Sequence, residues 1–295
     1  MPQTRRNLTA HGSDQGPITL AVVTRDRPEA FAQFLLPGLE EIAASAPVVV
    51  VDQSSGDETA RLVDRLPRAR LLRSEPGLAR GRNVAVRETE TSLLAFTDDD
   101  VTLPPGWLGA VARTFEHAPD AGAVCGRAVT PDGVLQPGSA SGTYRWPAVP
   151  FALGSGLNIA FRRDALEDVG PFDEELGAGA RYRAAEDSDM LYRLLREGWS
   201  VVCTDEITVT HHDPRRGRER MRLHYGYGFG AGAQTAKHHA AGDRQAVRIA
   251  LRHARRHLAT LGRSAATLRL GRASLQVAYL SGLVAGYARR RRRQS

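Results

Sequence analysis

The sequence predicts an α/β protein: a mostly parallel sheet flanked by helices, followed by a basic α-helical C-terminal extension. Three observations carry that prediction. Short apolar, β-rich runs alternate with helix-patterned stretches through the first hundred residues, as expected of parallel strands joined by crossover helices. Several of these runs end in a polar cluster, and in such sheets ligands sit beyond the carboxyl ends of the strands. The formal charge of +7 over 295 residues is also sharply divided. Residues 1–212 hold 21 Lys+Arg against 30 Asp+Glu, a net of −9, and residues 213–295 hold 19 against 3, a net of +16.

Taken in order, residues 1–16 are polar, lack the apolar stretch of a secretion signal, and are expected to form a disordered leader. Residues 18–24 (ITLAVVT) read as the first strand. A break at 25–28 follows, then a helical stretch carrying Phe31, Phe34, Leu35 and Leu39. Residues 48–51 (VVVV) form a second strand ending at Asp52, residues 59–66 a helix and 70–73 a third strand. A helix is expected over 81–90 and a strand over 92–97. The segment 131–156 is dense in Gly, Pro and Ser and reads as a long loop bordering the site. A helix over 185–197, a strand over 200–204 and a strand-like run ending at His211 and His212 close this part. The division expected is a leader to 16, a catalytic domain over 17–212 and a basic helical region over 213–295. The hydrophobic fraction of 42% and charged fraction of 25% suit a folded soluble chain. Cys125 and Cys203 lack metal-ligand spacing and read as reduced thiols of a cytoplasmic protein.

Four constellations carry chemistry. Asp98-Asp99-Asp100 directly follow an apolar strand. Three adjacent carboxylates repel one another, so a fold that places them there needs a cation, and Mg²⁺ or Mn²⁺ commonly bridges carboxylates to substrate phosphates. An acidic solvated turn before Pro104 is the plainer alternative. The stretch 75–83 (EPGLARGRN) offers Gly77 and Gly81 for close backbone approach and Arg82 for a phosphate. Asp52 at a strand tip can accept from a base or ribose edge, or simply cap the turn with Ser54, Ser55 and Asp57. Glu186-Asp187 open a helix, where a carboxylate is stabilised by the dipole or serves as a general base.

Together these residues resemble the family 2 glycosyltransferases and their GT-A, Rossmann-like fold, across about residues 17–213. The resemblance implies that Thr24, Arg25 and Asp52 contact the nucleotide, Arg25 standing where the family usually has proline. Gly77, Arg82 and Asn83 match a Gly-x-x-x-Ala-Arg-Asn element, with Gly81 in the alanine position. Asp98 and Asp100 match the D-x-D pair, Asp98 near the ribose and Asp100 on the metal, with Asp99 between them. Gly154, Ser155, Gly156 and Asn158 resemble the segment lining the donor-sugar and acceptor pocket, with Glu186 beside it. Residues 169–174 fit the Gly-Gly-Phe-Asp-Glu stretch. Asp187 matches the family's base, Arg193 the arginine after it, and His211 the histidine near the metal, with His212 as fallback.

The resemblance implies an inverting transfer from a nucleotide diphosphate sugar, UDP by default, to a hydroxyl on a lipid-linked, polysaccharide or small-molecule acceptor. Two other readings stay open: a nucleotidyltransferase on the same sheet, disfavoured because residues 24–28 contain no glycine, and a non-catalytic nucleotide-sugar binder. In the basic region, residues 273–288 form an uncharged run followed by Arg289–Arg293. That run is shorter than the roughly 20 residues a spanning helix needs. It predicts either a helix lying on an anionic membrane at the inner face or an appendage packed on the acidic domain. Nucleic acid is not expected as a partner, because aromatics are sparse.

Overall fold

The computed structural model describes residues 18–294 except 137 and 139, so the leader expected over 1–16 lies outside the described residues. The sheet-forming part runs β1 (Ile18–Thr24), α1 (Pro28–Ala30), a π-turn over Phe31–Leu35, α2 (Leu36–Ala43), β2 (Val48–Asp52), α3 (Glu58–Val63), β3 (Ala69–Arg73), α4 (Leu78–Arg87) and β4 (Leu93–Thr97). Then come β5 (Val101–Thr102), α5 (Trp107–His117), β6 (Ala121–Cys125), β7 (Ala128–Val129), β8 (Gly142–Tyr144), β9 (Asn158–Arg162), α6 (Arg163–Val169) and α7 (Glu186–Glu197). The strands β10 (Ser200–Cys203) and β11 (Val209–His211) precede three long helices, α8 (Gly217–Ala240), α9 (Arg244–Ala266) and α10 (Leu270–Gln294).

Eight strands form one sheet in the order β3-β2-β1-β4-β9-β6-β10-β8. Its first four strands are parallel, β9 runs antiparallel to both β4 and β6, and β8 is an antiparallel edge. Because helices cover both faces, β2 and β4 are buried at every position, which is why they read as unbroken apolar runs. Alternate residues serve opposite layers: Leu20 and Val22 pack with Phe31, Leu35, Leu39 and Phe115, while Ala21 packs with Leu94, Phe96, Phe161 and Leu191.

Some boundaries differ from the sequence reading. Pro37 lacks an N–H, and the expected helix over 31–39 becomes a π-turn followed by α2 with Pro37 in its first turn. Helix α4 starts at Leu78, three residues before Gly81, with Gly77 at its N-cap at φ 135°, a conformation that favours glycine. Gly81 therefore lies inside the helix, where a Cβ would stand 2.5 Å from Val23 Cγ1. The reading left α5, β6 and β9 unassigned.

The antiparallel direction of β9 matters most for the site. Thr97 pairs with Asn158, so the start of β9 meets the end of β4, and Gly154–Asn158 arrive beside Asp98. A second, three-stranded sheet in the order β5-β11-β7 extends this edge. Its pairing of His211 with Val101 brings His211 next to Asp100.

The three C-terminal helices do not form a detached appendage. Helix α8 packs on α10 through glycines: a Cβ at Gly228 or Gly232 would overlap the backbone of Tyr279 or Leu283, and one at Gly282 or Gly286 that of Tyr225 or Phe229. Gly230 likewise lies against the Ala184 carbonyl, just before α7. Arg290 is buried, stacks over Tyr182 at 4.9 Å, and pairs with Asp173 and Glu175 at 3.2 Å each. The alternative of packing on the acidic domain is thus what this arginine does. Along the outward side of α10, Leu270, Val277 and Val284 are 71%, 50% and 70% exposed. No helix among the described residues is long and apolar enough to cross a membrane.

Candidate active site

The acidic run after β4 is drawn together by its surroundings. Asp99 Oδ2 accepts from Thr24 Oγ1 at 2.7 Å. Arg27 bridges the last two acids, with Nη1 2.7 Å from Asp99 Oδ1 and Nη2 2.8 Å from Asp100 Oδ2. His211 Nε2 lies 3.5 Å from Asp100 Oδ1, and its Nδ1 is paired with the Gln136 side chain. Burial raises the Asp100 carboxyl, but His211 and Arg27 outweigh it and hold the group well below the usual carboxylate range. Burial pushes Asp99 up to about 6 against Arg27 and Thr24. Asp98 is pushed up first by burial, opposed by Arg82, and it feels Asp100, His211 and Asp187. The three carboxylates Asp98, Asp100 and Asp187 therefore share one electrostatic neighbourhood. His212 stacks on Phe34 at 3.9 Å and reaches Thr102, so His211 is the histidine on the acids.

At the end of β2, Asp52 is fully buried. Its Oδ1 accepts from the Ser54 amide at 2.9 Å. Its Oδ2 lies 3.0 Å from Arg73 Nη1 yet has no hydrogen-bond partner. Neighbouring Gln53 staples the 74–77 loop: Nε2 donates to Ser74 Oγ and to the Glu75 and Gly77 carbonyls at 2.9 Å each, and Oε1 accepts from the Gly77 amide. Arg25 is exposed and paired with Asp26, directed away from the acids.

The start of α7 forms the opposite wall. Asp187 Oδ2 accepts from the Gly156 amide at 2.9 Å, and Oδ1 from the Ser188 amide at 2.6 Å. Arg82 is buried and donates through Nη1 to Glu186 Oε1 at 2.8 Å. Its guanidinium lies over Phe96 and Phe172 at 5.6 and 5.8 Å. A Cβ at Gly156 would overlap that guanidinium, and one at Gly154 would overlap Cys125. Burial, then Asp187, pushes Glu186 up to about 7. Two residues expected at the ligand turn inward. Asn83 clamps Phe172 by two bonds and reaches Glu174, and Asn158 is buried against Trp107 and the carbonyls of Arg127 and Ile207. Ser155 is exposed at the rim.

The sequence reading missed several contributors. Arg27 and Gln53 carry no pattern that says where their side chains go. Asp189 is fully buried and bound by Arg193, Lys237 and His238 at 3.0, 2.9 and 2.8 Å. Ser188 Oγ donates to Gln234 Oε1 at 2.8 Å, so α8 is fastened to α7 beside Asp187. Tyr227 on α8, 46% exposed, lies within electrostatic reach of Arg215 and Asp187.

The chemistry of Asp98, Asp100 and His211, two carboxylates and an imidazole, suits Mg²⁺ or Mn²⁺. Asp98 has no hydrogen-bond donor among the described residues and so keeps lone pairs for an ion. No three His, Cys, Asp or Glu side chains among the described residues are already gathered as a metal cage. That is consistent with an ion held partly by substrate phosphates.

Comparison with known proteins gives the same direction. The sequence pattern of the family described as Glycosyl transferase family 2 matches residues 21–170, just over half of the chain; Asp187 and His211 lie beyond that span. A glucosyl-dolichyl phosphate glucuronosyltransferase of Haloferax volcanii is 28% identical over 149 residues, 46% of this chain and 47% of that protein. The chain thus spans less than half the length of this curated relative. The mannosyltransferase PcManGT of Pyrobaculum calidifontis, solved with GDP-Man and Mn²⁺, superposes with a TM-score of 0.65 at 19% identity, covering 92% of this chain and 86% of that one. S. aureus TarS 1-349 with UDP-GlcNAc superposes with a TM-score of 0.55 at 18% identity, covering 74% and 66%. At these identities the superpositions establish the GT-A fold.

Proposed function

The chain belongs to glycosyl transferase family 2, and on that premise we propose that it moves a sugar from a nucleotide diphosphate donor to a hydroxyl acceptor with inversion at the anomeric carbon. One observation carries the reading: Asp98 and Asp100 directly follow β4, and Asp187, on α7, lies within electrostatic reach of Asp98 at the carboxyl end of that strand. Asp52 marks the nucleotide end, because its buried Oδ2, ion-paired with Arg73 but without a hydrogen-bond donor, is the kind of atom a base or ribose edge satisfies. UDP is the donor nucleotide of first choice. Asp98, Asp100 and His211 would hold a divalent ion, and such an ion, when bound, neutralises charge building on a departing diphosphate.

Asp187 acts as the general base. The Gly156 and Ser188 amides aim its carboxylate. As the acceptor oxygen attacks the anomeric carbon, its proton passes to Asp187 and the bond to the diphosphate breaks. Glu186, pushed up by burial, stays with Arg82 and keeps that guanidinium fixed behind Gly156. Asp187→Asn should lower kcat by roughly 10²–10⁴-fold while leaving donor Kd nearly unchanged. Single-turnover assays beside donor calorimetry check this; near wild-type turnover removes Asp187 as base. Released nucleoside diphosphate, in place of pyrophosphate, separates transfer from nucleotidyl chemistry.

The basic helical region adds a partner. The outward stripe of α10, Leu270, Val277 and Val284, recurs every seven residues, with exposed Arg269 and Arg272 around its first residue and Arg289 and Arg292 after its last. Such a helix suits the interface of an anionic membrane, which favours a lipid-linked acceptor delivered at the inner face.

A further inference from the structure

We propose that Arg27 is a resident counter-cation of the acidic cluster, which holds Asp100 until a divalent ion arrives together with the nucleotide diphosphate. The proposal rests on the metal reading above. Arg27 places one guanidinium nitrogen on each of Asp99 and Asp100, at 2.7 and 2.8 Å. This planar fork cannot be discharged, because arginine stays protonated in proteins. The Asp100 oxygen it occupies, Oδ2, is one a metal would use, and Oδ1 faces His211. An ion on Asp100 would stand within a few ångströms of the guanidinium, and like charges so close in a buried site repel strongly. Arginine and ion therefore compete for the same carboxylate.

The loop that carries Arg27 is built to hold its backbone while the side chain moves. Asp26 sits at φ 52°, a left-handed conformation uncommon outside glycine, and its amide is pinned by Ser54 Oγ at 2.7 Å. Beyond that anchor the Arg27 side chain is 34% exposed, so it can swing from the acids without unpacking the core. A bare ion would set its charge against Arg27. A nucleotide diphosphate brings compensating negative charge and gives the displaced guanidinium a new bidentate partner. Ion and nucleotide are thereby favoured together over either alone.

Mn²⁺ binding, read from loss of the free-ion electron paramagnetic resonance signal, tests this on wild type, Arg27→Met and Arg27→Lys, alone and with UDP or GDP. Arg27→Met without nucleotide should bind Mn²⁺ roughly tenfold or more tighter than wild type, and nucleotide should narrow the gap. Arg27→Lys should fall between, because an ammonium cannot span two carboxylates as a fork. Mn²⁺ should also raise the Tm of Arg27→Met more than that of wild type. Equal or weaker Mn²⁺ binding by nucleotide-free Arg27→Met overturns the proposal, and if that variant fails to fold, Arg27→Lys serves the same comparison. Asp100→Asn separates the two levels. If it abolishes nucleotide-dependent Mn²⁺ uptake while the Arg27 variants change nothing, only the counter-cation idea fails. If it has no effect, or if Mn²⁺ does not bind at all, the metal site fails and this inference with it.

Discussion

Two positions along α7 from the base, Asp189 lies in the interior with three cationic or protonatable partners, one from its own helix and two from α8. Burial raises its carboxyl, but His238, Lys237 and Arg193 hold it well below the usual range. Asp189→Asn keeps the shape and removes the charge, leaving Arg193 without its carboxylate and Lys237 with Asp173 alone. Because Lys237 is partly open to solvent, the expected cost is about 3 kcal/mol, a fall in Tm of roughly 5 °C at this size. Thermal unfolding measures it, and a Tm within about 2 °C of wild type would mean that the hub is not a stabilising device. Single residues were legible where an acid ends an apolar run, as at Asp52, Asp98 and Asp100. Arg82 and Asn158 were not, since the chain places one on a helix and the other beside a Gly-rich loop but does not show that they point into the core.

At the scale of elements, the α9–α10 contact is held by a chain of rings. His253 Nε2 is 3.1 Å from both Tyr279 Oη and His257 Nε2, and His257 lies flat on Tyr279 with 3.9 Å between centroids. Burial, with the charges of His257 and Arg256, pushes His253 down to about 3. A histidine depressed from its ordinary 6.5 binds fewer protons folded than unfolded. Its contribution is present above pH 6.5 and drains away as pH falls toward 3, by up to about 1.4 kcal/mol per unit. Denaturant titrations from pH 7 to 5 should show wild type losing stability relative to His253→Gln as pH falls, by up to about 1.4 kcal/mol per unit. The difference between the two isolates the histidine from Glu186, whose raised value acts in the opposite sense. Identical slopes would show that the ring chain does not sense protons. Elements with a clear period or a polar terminus, such as β1, β2, β4 and α7, were readable in the sequence. The strands β6 and β9 were not: AGAVC and NIAFR are buried almost throughout and too short to show alternation, and β9 follows a loop rich in Gly and Pro.

For the whole molecule, the charge division seen in the sequence has two outlets. Part is spent internally, where Lys237, Arg290 and Arg293 meet Asp173, Glu175 and Asp189. This ties the basic helices to the acidic domain, so a cut at residue 212 would pass through packed structure and not through a linker. Part stays outside, beside the apolar stripe of α10. Flotation with vesicles of neutral lipid or of neutral lipid with anionic lipid should show binding to the anionic vesicles alone at low salt. Leu270→Asp with Val277→Asp and Val284→Asp should abolish it without lowering Tm, since all three side chains are largely exposed. Unchanged flotation of the triple variant, or none by wild type, removes the membrane reading.

The rim at residues 154–156 bears on attempts to retarget the enzyme. Glycines flank Ser155 because sulfur on one side and a guanidinium on the other leave no space for a side chain, and one of them also holds the carboxylate of Asp187, the proposed base, through its amide. Libraries that randomise the whole triplet would mostly sample disrupted packing. Confining diversity to Ser155 changes the exposed rim while leaving Asp187 where it is.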